Sequence, residues 1–166
     1  MQTNTIYCGE CAEMMRRHIP DNSIDMTVTS PPYDDLREYN GYTFEFEPIA
    51  AELWRVTKPG GVVVWVVADA TVKGSETGTS FRQALGFMGV GFRLHDTMIY
   101  QTNKPPMNDN RYQACFEYMF VFSNGKPKIA NILTEPPKHP GVNNSGGMRG
   151  KDGKKKKSHL YKQDIK

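Results

Sequence analysis

"IDMTVTSPPY", Ile24 to Tyr33, decides the fold. A short apolar run is followed at once by two prolines. Proline has no amide hydrogen for a sheet ladder and biases the residue before it toward extended geometry, so Pro31 and Pro32 end the strand Ile24–Thr29. On its amino-terminal side, Ala12, Met14, Met15 and Ile19 fall on one helical face, and Pro20-Asp21-Asn22-Ser23 breaks that helix before the strand begins. On its carboxyl side, Ile49, Leu53 and Val56 give Phe46–Val56 helical spacing. "KPGG" at Lys58–Gly61 reads as a stop, and "VVVWVV" at Val62–Val67 as a strand apolar on both faces, as a buried parallel sheet requires. A Gly, Ser and Thr rich loop at Lys73–Thr79, a helix over Ser80–Met88 and two long strands, "GFRLHDTMIYQ" from Gly91 and "RYQACFEYMFVFS" from Arg111, complete the pattern. Alternating strands and helices predict an α/β protein with an open, mostly parallel sheet and helices on both faces. Ligands of such sheets sit beyond the carboxyl ends of the strands, where Ser30–Tyr33 falls.

The length of 166 residues suits one domain with a real core, and 38% hydrophobic against 23% charged residues fits a globular chain. No apolar run is long enough to span a membrane, and the start "MQTNTIYCGE" lacks the basic and apolar regions of a signal peptide, so a cytoplasmic protein is expected. Cys8 and Cys11 form a Cys-x-x-Cys pair, but the third cysteine and four scattered histidines do not complete a zinc site, and no metal is expected. The net charge of +3 is uneven: residues 139–166 hold eight Lys or Arg against two Asp, a net of +6, leaving −3 for residues 1–138. The reading is a folded region over 1–138 and a basic, flexible tail over 139–166, in which Lys154–Lys157 could neutralise phosphates.

The proline turn has a definite chemistry. Two rigid residues hold a backbone carbonyl in one direction, Ser30 adds a side-chain oxygen, and Tyr33 adds a flat face with a polar tip. Such a set suits a planar ring bearing an amino group, with the acceptors on the amino hydrogens and the ring stacked on Tyr33. A proline-rich turn with a buried tyrosine is the plain alternative.

"TSPPY" after an apolar strand resembles the (Asp/Asn/Ser)-Pro-Pro-(Tyr/Phe/Trp) motif of S-adenosylmethionine-dependent DNA methyltransferases that modify amino groups. "IYCGECAEMMRRHIPDNSIDMTVTSPPY", "IAAELWRVTKPGGVVVWVV" and "RYQACFEYMFVFSNGKPK" resemble, in order and spacing, members of that family whose catalytic region precedes the cofactor region. The resemblance covers roughly residues 5 to 130 and implies a Rossmann-like methyltransferase fold, S-adenosylmethionine as cofactor and double-stranded DNA as partner, in the setting of restriction-modification. It implies that Ser30 and the Pro31 carbonyl hold the target amine, that Pro32 fixes the turn and that Tyr33 stacks on a base flipped out of the duplex. Asp69, after "VVVWVVA", is a candidate for the cofactor side of the cleft, the alternative being a strand-end cap. Lys104, Asn108, Asn110 and Arg111 in "QTNKPPMNDNRYQ" are candidates for DNA contact. Adenine N6 and cytosine N4 both remain open as target, whereas the Pro-Cys pair of carbon-5 cytosine enzymes is absent.

The family's Asp-Pro-Phe-x-Gly-x-Gly-like cofactor loop is also absent; neither "GSETG" at Gly74–Gly78 nor "GVNNSGG" at Gly141–Gly147 replaces it. The chain therefore reads as the catalytic half of such an enzyme, with a sheet edge left for its own tail, a second chain or a homo-oligomer to cover. A degenerate half that binds DNA without chemistry, and a methyltransferase of RNA or protein, are the alternatives.

Overall fold

A computed structural model describes residues 3–32, 44–103, 111–112 and 115–131. The chain divides into two compact units, residues 1–130 and 131–166, and every described helix and strand belongs to the first. The expected tail over 139–166 lies outside the described residues.

The helix expected first is α1, Cys11–His18, and the strand that leads into the proline turn is β1, Ile24–Thr29. Helix α2 spans Phe46–Val56 and passes directly into β2, Thr57–Val67. A two-stranded hairpin, β3 (Thr71–Val72) and β4 (Ser75–Glu76), precedes α3, Thr79–Gly89, and the strands β5, Arg93–Gln101, and β6, Phe116–Ser123, follow. The main sheet has the order β1-β2-β6-β5. The open α/β sheet is thus present. Its parallel pairing is the β1–β2 pair, while β6 runs antiparallel to both β2 and β5.

Three local expectations are corrected. "KPGG" is not a stop between helix and strand: β2 starts at Thr57, and the pairing of β1 jumps from Ile24↔Thr57 to Met26↔Val62, so these residues bulge out of register. Gly60 sits at φ +83° and donates to the Asn124 carbonyl at 2.6 Å, a left-handed position that glycine adopts without a Cβ penalty. The loop expected at Lys73–Thr79 begins inside the β3–β4 hairpin, whose turn places Lys73 and Gly74 at positive φ. The last strand starts at Phe116 rather than at Arg111.

One face of the sheet carries the core. Val63, Trp65 and Val67 of β2 are paired with Phe122, Phe120 and Tyr118 of β6, and against them pack Phe87 of α3 and Ile49, Leu53 and Val56 of α2. Trp65 meets Phe87 edge-on at 4.9 Å between ring centres, and Phe87 stacks on Phe122 at 4.5 Å. Fully burying side chains of this size contributes roughly 1.5–3 kcal/mol each before entropy is counted. The Trp65 indole N–H donates to Gln83 Oε1 at 2.8 Å, so the one polar atom of that ring is satisfied inside the core. Ala12 and Met15 of α1 join the same cluster, so among the described residues all three helices cover this face.

Helix α1 is fastened at both ends. Glu10 accepts from the Ala12 and Glu13 amides at 2.9 and 2.7 Å, a side-chain N-cap. At the other end Arg55 of α2 donates to the Met15 and Ile19 carbonyls, each at 3.0 Å, and pairs with Glu52 and Asp21. Glu52 is itself buried and also takes Arg16 at 3.3 Å, so its charge is paired on two sides.

Candidate catalytic turn and its cavity

Parallel pairing sends the carboxyl ends of β1 and β2 to the same edge of the sheet, with Thr29 opposite Trp65. Ser30 leaves β1 exposed, Pro31 turns inward and is buried, and Pro32 is half-buried. All three line a cavity of about 350 Å³, inside the ~300–1,000 Å³ range of small-molecule sites. Its walls are α1 (Cys11, Met15), β1 (Ile24, Thr27, Thr29), α2 (Ile49, Leu53, Val56), Phe44 and Trp65.

The alternation along β1 explains this lining. Thr27 and Thr29 share the register face of Val63 and Trp65 and look toward the helices, while Met26 and Val28 share the face of Val62 and Val64. Hydroxyl groups therefore stand on the cavity wall beside Ser30. Thr27 and Thr29 were not among the residues expected from the sequence, although "MTVT" carries the signal: its polar members face the helical layer.

Among the described residues no charged side chain lines the cavity. Burial raises the Cys11 thiol above its ordinary value, with the nearby Glu10 carboxylate adding to the effect, so this wall is neutral near pH 7. The lining fits a planar, weakly polar group. Its described residues offer hydroxyls but no charged partner for the zwitterionic amino-acid end of S-adenosylmethionine.

Asp69 follows β2 at the same end of the sheet, and its carboxylate is already engaged. The Ser80 amide donates to Oδ1 at 3.0 Å, the Ser80 hydroxyl to Oδ2 at 2.5 Å and the Thr77 hydroxyl to Oδ1 at 3.3 Å. Gly78 has the N-cap position of α3 and no side chain to offer, so Asp69 caps that helix from a distance. Arg111 donates to the Gly74 carbonyl and lies 4.0 Å from Glu76, which ties it to the β3–β4 hairpin. Tyr33, Lys104, Asn108 and Asn110 lie outside the described residues. The turn residues Ser30, Pro31 and Pro32 are therefore brought together, and Asp69 and Arg111 are each held by contacts of their own. Among the described residues no group of three or more His, Cys, Asp or Glu is placed to hold a metal, and no helix is long and apolar enough to cross a membrane.

Comparison with known proteins gives a consistent set of likenesses. A family model described as DNA methylase matches residues 24–164. The orphan methyltransferase M.BamHII of Bacillus amyloliquefaciens is 58% identical over 156 residues, 91% of this chain and 58% of the relative. The fold is similar to that of the cytosine-N4-specific PvuII DNA methyltransferase, with a TM-score of 0.59 and 22% identity over 74% of this chain and 50% of that one. It is also similar to M1.HpyAVI, solved as a complex with S-adenosylmethionine, with a TM-score of 0.51 and 19% identity over 81% of this chain and 59% of that one. The chain thus spans between half and three-fifths of the length of these relatives.

Proposed function

The chain belongs to the DNA methylase family, and from that premise we propose that it carries the catalytic turn of an enzyme that methylates an exocyclic amino group of adenine or cytosine in DNA. S-adenosylmethionine is the methyl donor in this reading, supplying an electrophilic methyl on its sulfonium. Support comes from a relative named a methyltransferase at 58% identity and from a similarly folded protein solved with that cofactor.

The observation that carries the proposal is the position of Ser30, Pro31 and Pro32 on the lip of a cavity whose described lining is uncharged, beyond the carboxyl end of a parallel strand. The Ser30 hydroxyl and the Pro31 carbonyl are oxygen acceptors for the two amino hydrogens. Holding both hydrogens draws the nitrogen out of the plane of the ring, frees its lone pair from delocalisation and aims it away from the two acceptors. Pro32, with φ fixed by its ring, keeps the Pro31 carbonyl in that direction. Tyr33 supplies a face for the base, whose extrusion from the duplex costs a few kcal/mol, roughly what stacking and phosphate contacts return. Lys104, Asn108, Asn110 and Arg111 are proposed as DNA contacts, and the basic segment 139–166 as a salt-sensitive contribution to affinity. Asp69 is proposed to act on the cofactor side through the loop it holds.

The test is transfer of label from S-adenosylmethionine to unmethylated double-stranded DNA, followed by digestion and identification of the labelled nucleoside. Label on an adenine or cytosine amino nitrogen is expected, falling about 10²-fold or more in Ser30→Ala, by analogy with loss of one polar contact to a reacting group. Label on cytosine carbon 5, on RNA or on protein, or full activity in Ser30→Ala, would overturn the assignment.

A further inference from the structure

A second cavity, of about 320 Å³, opens between α2 and α3 and adjoins the catalytic one through Phe44, which lines both. Its apolar wall is built on Phe44 and Phe46, whose rings rest against Trp65 at 6.4 and 6.1 Å between centres. Gly86 lies beside Phe46 in the same wall, where a Cβ would collide with that ring. Two fixed aromatic rings beside a bare stretch of helix suit a flat ligand.

The polar groups of the cavity are few and differ in kind. Gln83 is 5% exposed, and its Oε1 accepts from the Trp65 indole N–H at 2.8 Å. An indole nitrogen only donates, so the amide oxygen has to face it. The Gln83 NH2 is thereby turned the other way, into the cavity, where it meets no acceptor among the described residues. A donor so deep without a partner is a cost that a ligand with an acceptor would remove. Arg82, near the start of α3, donates to the Thr77 carbonyl at 2.7 Å and to the Thr79 hydroxyl at 2.9 Å. Those two bonds hold the plane of the guanidinium and leave three of its five N–H groups for another acceptor. Glu47, in the first turn of α2, lines the cavity from the other helix, is exposed, and has no hydrogen bond or ion pair among the described residues.

We propose that this cavity binds a guanine ring. The ring lies against Phe44 and Phe46, its O6 and N7 accept from Gln83 and Arg82, and its N1–H and N2 amino group donate to the Glu47 carboxylate. A guanidinium fork matches a pair of acceptors and a carboxylate matches a pair of donors; guanine is the base that offers both pairs on one ring. Adenine has no carbonyl, thymine no amino group, and cytosine one donor group where guanine has two. The lining alone carries this inference, which does not depend on methyl transfer. A guanine of DNA and a free guanine nucleotide present the same edges, and the experiment separates them.

Equilibrium dialysis of the full 166-residue chain against the 5′-monophosphates of deoxyguanosine, deoxyadenosine, deoxycytidine and thymidine is the test. The phosphate is common to all four, so a difference among them reports the ring. The guanine nucleotide should bind at least about tenfold more tightly than the others. Glu47→Gln and Arg82→Lys, both at exposed positions, should each bring the four within about threefold of one another while thermal melts show the fold retained. A thymine single strand with one central guanine is then added as competitor. Displacement assigns the site to a base of DNA, and failure to displace assigns it to the free nucleotide; either supports guanine as the ligand. Equal affinity for the four nucleotides, no binding of any at millimolar concentration, or a guanine preference that survives both variants would overturn the proposal. Methyl transfer by a chain without the preference refutes this inference and leaves the proposed function standing, and the preference without methyl transfer does the reverse.

Discussion

Asp69→Ala separates a structural role for this carboxylate from a cofactor-binding one. Removing a side-chain N-cap costs about 1 kcal/mol. The Ser80 hydroxyl, whose residue is fully buried, would also lose its 2.5 Å acceptor, and an unsatisfied buried hydroxyl costs about 1–3 kcal/mol. Together the loss is about 2–4 kcal/mol, which at a urea dependence of ~1–3 kcal/mol per molar lowers the unfolding midpoint by about 1–2 M. Part of the penalty belongs to the Ser80 hydroxyl. Asp69→Ala made in a Ser80→Ala background should therefore cost about 1 kcal/mol less than in the parent, a coupling that a double-mutant cycle resolves. Urea titration followed by tryptophan fluorescence suits the purpose, because Trp65 lies in the core that α3 covers. A midpoint shift below ~0.3 M, or strict additivity in the cycle, would refute the capping argument. Loss of S-adenosylmethionine binding at unchanged stability would assign Asp69 to the cofactor instead.

Glu10 is held below its ordinary carboxylate value, chiefly by the Ala12 and Glu13 amides, so its cap stabilises α1 fully above about pH 4.5 and fades as pH falls through the depressed folded value; Glu10→Gln should flatten that acid limb in a pH series of thermal melts. Gly86→Ala should destabilise by about 1–2 kcal/mol in urea titration, because the added Cβ meets the Phe46 ring and overpacking outweighs the ~1 kcal/mol gain in helix propensity; unchanged stability would show that Phe46 swings away freely.

Much of the fold is legible in the sequence because local signals agree. Ile24–Thr29 and Phe46–Val56 have the expected bounds, since proline punctuation and helical periodicity each mark an end. "KPGG" misleads because its glycines serve a register jump between two strands, and a register depends on the partner strand rather than on local propensity. The direction of pairing is likewise non-local: nothing in "FEYMFVFS" distinguishes a parallel from an antiparallel neighbour. At the proposed site, the prolines and Ser30 stand out in the sequence because their chemistry is unusual in a strand-end turn, and all three line the cavity. Asp69 is ambiguous for the opposite reason, since a carboxylate at a strand end serves a cap as readily as a ligand, and the Ser80 that engages it lies eleven residues on, outside any local pattern. The cavity depends on Met15, Leu53 and Trp65 converging from three elements, which no single window of sequence contains.

Arg55 binds the carbonyl end of a helix 40 residues earlier in the chain. At eight residues, α1 is shorter than the ~12 at which isolated helices become even marginal, so it persists by virtue of this clasp and of Ala12 and Met15 in the core. One wall of the cavity is thus on loan from α2: whatever undocks α2 opens that wall in the same event. The shape of the cavity and the stability of the domain behave as a single variable, so a substitution selected for one will carry the other with it.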